Sequence, residues 1–217
     1  MGDVLQLKPR APAVTGPFDE NSLLLLHRAL IWWQGRGFKF VDLPWTVPKE
    51  YSDATRPADC RDIPTLHGSF VASGEQSFLQ LWSEDRLPAD APGYIGWTPC
   101  LRDEVLDETH QHGFMKVEWF VPAQVEAAPL WSARLHELLA LQSEMFQAVA
   151  RLAGRPLAAP VWRCVIGPEQ VDLMVGDLEV GSYGRRYFNG RPYFYGTGLA
   201  LPRFAQALAS LAGPTAG

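Results

Sequence analysis

After one long amphipathic run at residues 130–152, the chain breaks into four short β-rich segments near 161–165, 171–175, 178–181 and 191–195, spaced by Gly176, Gly184 and Gly190. The long run keeps Leu135, Leu138, Leu139, Leu141, Met145, Phe146, Val149 and Leu152 at helical spacing, which predicts a helix with one apolar side. Short β-rich segments divided by glycine predict an antiparallel meander. A long helix followed by a meander constrains the fold to α+β, an antiparallel β-sheet flanked by helices.

The first half of the chain supplies further helices. Residues 23–37 form a helical run closing on glycine, with Asp19, Glu20 and Asn21 near its start, where they suit the positive end of the helix dipole and offer a cap. Leu23, Leu26, His27, Ala29, Leu30 and Trp33 make its broad buried face. Phe38-Lys39-Phe40-Val41-Asp42-Leu43-Pro44 then reads as a short alternating strand closed by proline. Tyr51-Ser52-Asp53-Ala54-Thr55-Arg56-Pro57-Ala58-Asp59 reads as a polar loop. Ser73-Gly74-Glu75-Gln76-Ser77 leads into the helical Phe78-Leu79-Gln80-Leu81-Trp82, and Pro92 and Gly93 reset the chain before a strand carrying Trp97 and Leu101.

Composition narrows the class. At 217 residues, the chain fits one domain with a substantial core, read as 18–217, behind a flexible leader at 1–17 that holds three prolines and two glycines. Hydrophobic residues at 47% and charged residues at 20% are globular values. A net charge of −5 gives no global attraction to a polyanion, which counts against a dedicated nucleic-acid binder. Cys60, Cys100 and Cys164 are odd in number and widely spaced, so they form neither a disulfide framework nor a CxxC metal site. No run reaches the ~18 to 20 apolar residues of a membrane span, and no signal layout opens the chain, so a cytoplasmic protein is expected.

The chemistry concentrates in Arg102-Asp103-Glu104, followed by a polar loop and then Phe114-Met115-Lys116-Val117-Glu118. Arginine can fork two donors onto a phosphate, carboxylates accept an amine or a metal-bound water, and a phenylalanine on the return strand offers a face to a purine. Downstream, Gly196-Thr197-Gly198-Leu199-Ala200-Leu201-Pro202-Arg203 reads as a glycine-rich approach to a C-terminal helix. Helix, strand and proline, then the arginine hairpin, then the glycine-rich helix with arginine: this order resembles motifs one, two and three of the class II aminoacyl-tRNA synthetases. The resemblance covers roughly residues 20–212, and its loop length and Phe114 resemble the aspartyl, asparaginyl and lysyl branch.

That resemblance implies a set of roles. Arg102 would hold the α-phosphate of ATP, Glu104 the adenine side, and Phe114 would stack on adenine. Arg203 would take the γ-phosphate at a helix start, with Gly196 and Gly198 allowing close approach to the nucleotide, although Ala200 and Pro202 depart from the family pattern. Asp172 and Glu179, on a strand-turn-strand, would hold Mg²⁺ against the phosphates, leaving Asp177 in the turn to solvent. Ser73, Glu75, Lys116 and Glu118 would bind the amino acid, with acids near its ammonium group. Arg186 falls where the aspartyl enzymes bind a side-chain carboxylate, but Arg185 takes that place after a one-residue shift, and Phe78 stands where those enzymes place a lysine. The loop histidines, His110 and His112, read as solvated or substrate-touching rather than as a metal pair.

The implied activity is an ATP-dependent, amino-acid-activating ligase that forms an aminoacyl adenylate. That branch places an anticodon-binding barrel before the catalytic domain, whereas few residues precede the first helix here, so a stand-alone core is expected. Its acceptor would be ammonia, a small amine, a carrier protein or a protein lysine. A minimal synthetase acting on a tRNA acceptor stem and a non-catalytic paralogue binding an amino acid or nucleotide are the alternatives. Pro44 at the end of the motif one strand implies a homodimer, and Trp32, Trp33 and Trp45 suit either that interface or the core.

Overall fold

The computed structural model describes residues 20–58, 60–103, 111–124, 128–157, 162–167 and 169–210. The 1–17 leader, Glu104 and His110 therefore lie outside the described residues. Among the described residues there are five helices: α1 (Glu20–Gln34), α2 (Lys49–Thr55), α3 (Gly74–Ser83), α4 (Ala128–Leu152) and α5 (Arg203–Ser210). They alternate with β1 (Lys39–Phe40), β2 (Thr46–Val47), β3 (Pro64–Thr65), β4 (Gly68–Phe70), β5 (Tyr94–Leu101), β6 (Gly113–Pro122), β7 (Trp162–Gly167), β8 (Gln170–Val175), β9 (Leu178–Phe188) and β10 (Arg191–Ala200).

The main sheet has seven strands in the order β1-β5-β6-β10-β9-β8-β7, and β2-β4-β3 form a small second sheet. Only β1 against β5 is parallel; every other pair in the main sheet is antiparallel. This is the α+β arrangement expected from the helix and meander.

Both faces of the central strands are covered, and alternation assigns their residues. Val117, Trp119 and Val121 of β6 join Phe194, Leu173 and Tyr183 in a core closed by α1, α4 and α5. On the opposite face Phe120, Tyr94, Tyr193 and Tyr195 pack against Phe78, Leu79, Leu81 and Trp82 of α3. Each face therefore shields the sheet with an apolar helix stripe, at roughly 25 cal/mol per Å² of apolar surface removed from water.

Local details differ from the sequence reading. In α1, Leu25 rather than Leu23 joins Leu26, Ala29 and Trp33 in the core, while Leu23 and His27 are exposed. Trp33 is fully buried against Phe38 and Trp119, so it does not reach a surface, whereas Trp45 is 51% exposed. The stretch expected as a polar loop contains α2, whose Tyr51 and Ser52 are buried. Gly184 does not end a strand: β9 runs through it, where a Cβ would meet the Glu169 carbonyl and the Tyr195 ring. The reversal comes at Asn189–Gly190, both left-handed at φ 49° and 74°, which suits the primed turn of a two-residue hairpin. The glycine-rich approach of 196–200 is strand rather than loop, and α5 begins at Arg203.

Candidate functional site

Cross-strand partners share a face, and the face opposite α4 gathers the polar residues. Register sets Glu118 opposite Thr197 and Lys116 opposite Ala200 on β10, Tyr193 opposite Arg186 on β9, and Asp172 opposite Ser182. A cavity of about 240 Å³ opens on this face, lined by Arg102, Gln111, Phe114, Lys116, Glu179, Ser182, Thr197 and Arg203 among others. Five residues read from the sequence thus meet around one space, although they come from four separate segments.

Arg102 follows β5. Its Nε donates to the Ala72 carbonyl at 3.2 Å, its backbone N–H donates to the His112 carbonyl at 2.8 Å, and its guanidinium lies 5.0 Å from the Phe114 ring centroid. The start of β6 thus places the aromatic face beside the cation that follows β5. Arg203 opens α5 and pairs with Glu179 at 3.1 Å, both side chains being partly exposed. At a helix start, the backbone and the guanidinium both favour an anion.

A second polar cluster lies behind Lys116. Ser73 is the N-cap residue of α3 but makes no side-chain cap bond; the Glu118 carboxylate of β6 instead accepts the Ser73 hydroxyl and the Gly74 backbone N–H. A buried carboxylate is thereby held at the positive end of a helix. Lys116 Nζ sits 2.9 Å from Glu118 Oε1 and donates to Ser73 Oγ at 3.3 Å, so it joins the cavity to this cluster.

Glu75, in the first turn of α3, is buried and fully engaged. Arg186 Nη1 donates to its Oε2 at 2.6 Å and the Tyr193 hydroxyl donates to Oε1 at 2.8 Å. Burial nonetheless raises the Glu75 carboxyl above the usual range, against the opposing pull of Arg186. Arg186 also stacks over Tyr195 at 4.1 Å, and burial pushes that phenol up to about 12. Of the two arginines, Arg186 pairs with Glu75 and Arg185 is buried, 3.7 Å from Glu169; neither lines the cavity.

Asp172 and Glu179 stand apart in their environments. Burial raises the Asp172 carboxyl, the Glu179 charge adding to the rise while Ser182 and Arg203 oppose it. Its Oδ1 is buried without a hydrogen-bond partner among the described residues. No group of three or more metal-binding side chains is present among those residues. Gly196 and Gly198 do not line the cavity: a Cβ at Gly196 would run into the Trp119 and Tyr183 rings, and one at Gly198 into Val117. Phe78, fully buried, stacks on Phe120 at 5.4 Å, so it is core.

Sequence reasoning missed Tyr193, Tyr195, Thr197, Ser182 and Gln142. The first three are spaced two apart on β10, the period that puts side chains on one face, so the signal was there. Gln142 carries no comparable signal, because its partners Trp119 and Gly198 lie on strands far from it in the chain, whereas Ser182 meets Gln170 and Asp172 on the neighbouring strand of its own hairpin.

No protein-family model matches the sequence, and no curated protein does. Solved structures do match. The pyrrolysyl-tRNA synthetase of Desulfitobacterium hafniense superimposes with a TM-score of 0.62 at 18% identity, covering 87% of this chain and 70% of that one. The fold is that of a class II aminoacyl-tRNA synthetase catalytic domain. Seryl-tRNA synthetase from Pyrococcus horikoshii, solved with ATP, matches at 0.60 and 19% identity over 88% of this chain and 51% of its own. The cytoplasmic serine-tRNA ligase of Naegleria fowleri, solved with AMP, matches at 0.61 and 16% over 87% and 47%.

These matches correct the expected branch. The synthetase-like fold is similar to pyrrolysyl and seryl enzymes, not to the aspartyl, asparaginyl and lysyl branch inferred from the motif two loop. Phe78, which stood against the aspartyl enzymes because they place a lysine there, is a core stacking residue, and Arg186 is held by Glu75. An arginine, a loop and a phenylalanine describe a way of binding nucleotide, which does not separate branches.

Proposed function

We propose that this chain is an ATP-dependent ligase that activates an amino acid as its adenylate. The observation that carries the reading is the Arg102 guanidinium 5.0 Å from the Phe114 ring, on the wall of a cavity that also meets Arg203 and Lys116. An aromatic face with three cations suits a purine linked to phosphates. The synthetase-like fold and the nucleotides in the two seryl enzymes support the same reading.

In this reaction an amino-acid carboxylate oxygen attacks the α-phosphorus of ATP. The bond from that phosphorus to the bridging oxygen breaks, and pyrophosphate leaves with the electron pair. Arg102 stabilises charge developing at the α-phosphate, and Arg203 stabilises the departing phosphates after exchanging its Glu179 partner for them. Ser73, Glu75 and Glu118 orient the ammonium group, with Lys116 nearby to meet the carboxylate. Positioning and electrostatics carry such a reaction, so no protein nucleophile is needed.

Mg²⁺ fits the donors present. Asp172 offers a buried carboxylate oxygen without a partner among the described residues, and Glu179 lies on the facing strand. Two hard oxygen ligands leave the remaining positions to phosphate and water, and the ion would neutralise phosphate charge. The acceptor would be a small amine, a carrier protein or a tRNA acceptor stem. Exposed Phe40 on β1 and Trp45 just before β2 support a homodimer, which sedimentation at micromolar concentration tests. Among the described residues, no helix is long and apolar enough to cross a membrane.

The test is amino-acid-dependent exchange of labelled pyrophosphate into ATP, run across the twenty common amino acids with Arg102→Ala as control. Exchange with at least one amino acid, lost in the variant, is expected. Folded protein that exchanges with none of them shifts the reading to a non-catalytic paralogue that binds an amino acid or nucleotide.

A further inference from the structure

We infer that the Lys116 ammonium holds the acceptors meant for the amino acid's own ammonium, and that the nucleotide's phosphates draw it off them, so that nucleotide and amino acid bind cooperatively. The inference rests on the adenylation reading and extends it to the order in which the site fills. Lys116 belongs to two neighbourhoods. It lines the cavity beside Arg102 and Phe114, whereas Ser73 and Glu118 lie behind it, off the cavity wall. Its Nζ sits 2.9 Å from Glu118 Oε1 and donates to Ser73 Oγ at 3.3 Å. The Lys116 and Glu118 side chains are only 10% and 7% exposed, so water compensates this pair poorly.

A buried carboxylate oxygen beside a hydroxyl suits a primary ammonium, and the structure holds one there. The ammonium of a lysine and that of an amino acid present the same three N–H donors and no acceptor. The two groups therefore compete for one pair of acceptors. An amino acid's ammonium reaches Glu118 Oε1 and Ser73 Oγ only once Lys116 has left them. The Glu118 carboxylate need not move in that exchange, because its Oε2 accepts the Gly74 backbone N–H at the start of α3.

Charge decides what can displace the lysine. Among the described residues Lys116 is the one cation paired with Glu118, so its departure alone leaves a buried carboxylate without a counter-charge, which is strongly unfavourable. Two events together remove that cost. A phosphate in the cavity takes up the Lys116 ammonium, and the amino acid's ammonium takes up Glu118. Each event makes the other more favourable, which is a coupling free energy between two binding sites. Lysine suits the exchange, because its charge is a point on a flexible four-carbon stem and does not depend on a planar fork meeting one partner. Arg102, by contrast, is tied through Nε to the Ala72 carbonyl at 3.2 Å.

The chain holds four lysines, Lys8, Lys39, Lys49 and Lys116, and among the described ones only Lys116 is buried. Full-length protein labelled with ¹⁵N-lysine therefore gives few side-chain ammonium signals, and the one lost in Lys116→Met belongs to Lys116; Lys116→Arg supplies the assignment if that variant does not fold. Non-hydrolysable α,β-methylene ATP is expected to shift this signal, whereas adenosine, which carries the base without phosphate, leaves it in place. An unmoved signal at saturating analogue, or the same shift with adenosine, overturns the inference and leaves nucleotide binding standing. Calorimetry then compares each of the twenty common amino acids with and without the analogue. At least one is expected to bind about 5- to 150-fold more tightly when the analogue is present, the usual range of coupling between sites. Equal affinity in the two conditions overturns the inference and leaves adenylation standing. In Lys116→Met there is no ammonium to displace, so amino-acid affinity should no longer depend on the analogue, and a dependence retained in folded variant overturns the role of Lys116. No amino acid binding in either condition overturns adenylation and the inference with it.

Discussion

Gln142 of α4 donates its side-chain amide to the Gly198 carbonyl at 2.8 Å while its own carbonyl oxygen accepts the Trp119 indole N–H at 3.0 Å. Gly198 sits where the register of β10 against β6 slips, between Thr197 and Leu199. The slip turns one carbonyl of the site strand away from its neighbour and into the core, and Gln142 receives it. A helix on the far face of the sheet thereby stabilises the strand end that carries Thr197 and leads to Arg203.

Gln142→Leu removes both bonds and leaves a buried carbonyl and a buried indole N–H without partners. At about 1 to 3 kcal/mol for each such group, the loss should be about 2 to 6 kcal/mol. Urea unfolding followed by tryptophan fluorescence measures it. A change below about 0.5 kcal/mol, the size of an ordinary surface substitution, would mean that another group meets the Gly198 carbonyl.

Arg102→Lys keeps the positive charge but loses the planar fork and the flat contact with Phe114. ATP affinity is expected to fall about tenfold or more, on the scale of a hydrogen bond to a charged group, while the melting temperature changes little. Phe114→Leu should weaken ATP and AMP alike, because stacking acts on the base and not on the phosphates. Equal affinity in the native protein and both variants would remove the nucleotide from this wall of the cavity.

Asp172 carries a pH prediction. Its carboxyl is raised above the ordinary 3.8, chiefly by burial, so the folded protein holds this proton more tightly than the unfolded chain does. That contribution to stability is present below the ordinary value and is lost as pH rises through the folded value. Asp172→Asn cannot ionise, so its stability should fall less than that of the native protein as pH is raised from about 4 to about 7. In the same variant, Mg²⁺ should no longer strengthen ATP binding to the native extent. Parallel pH curves for the two proteins would place the titration elsewhere.

Gly196 separates two readings of a glycine. The sequence suggests backbone approach to a nucleotide, whereas the structure fills the space over this glycine with the Trp119 and Tyr183 rings. Gly196→Ala should destabilise the fold by about 1 to 3 kcal/mol through overpacking, while ATP affinity in the folded fraction stays near the native value. Lost affinity at unchanged stability would return Gly196 to the nucleotide.

Periodicity and turn chemistry made the outline legible. The stripe Leu135, Leu138, Leu139, Phe146 and Val149 marks a helix because only helical geometry brings those positions together, and the structure buries all five. Arg102, Phe114, Lys116 and Arg203 could be read as site residues because their types suit phosphate and purine, and they do line one cavity. Those features are local: spacing along the chain and side-chain chemistry carry them.

The pairing of charges was not local. Glu75 lies 111 positions from Arg186 and 118 from Tyr193, and nothing between them indicates that α3 is laid over β9 and β10. Trp33 and Trp45 show the same limit. Both are tryptophans flanking β1, yet one is fully buried and the other 51% exposed, according to which faces α4 and the sheet happen to cover. The sequence by itself determined the helices, the meander and the kinds of chemistry available. Only the tertiary structure decided which cation meets which anion and how much space remains between them, because burial and proximity are properties of packed surfaces brought together from distant parts of the chain.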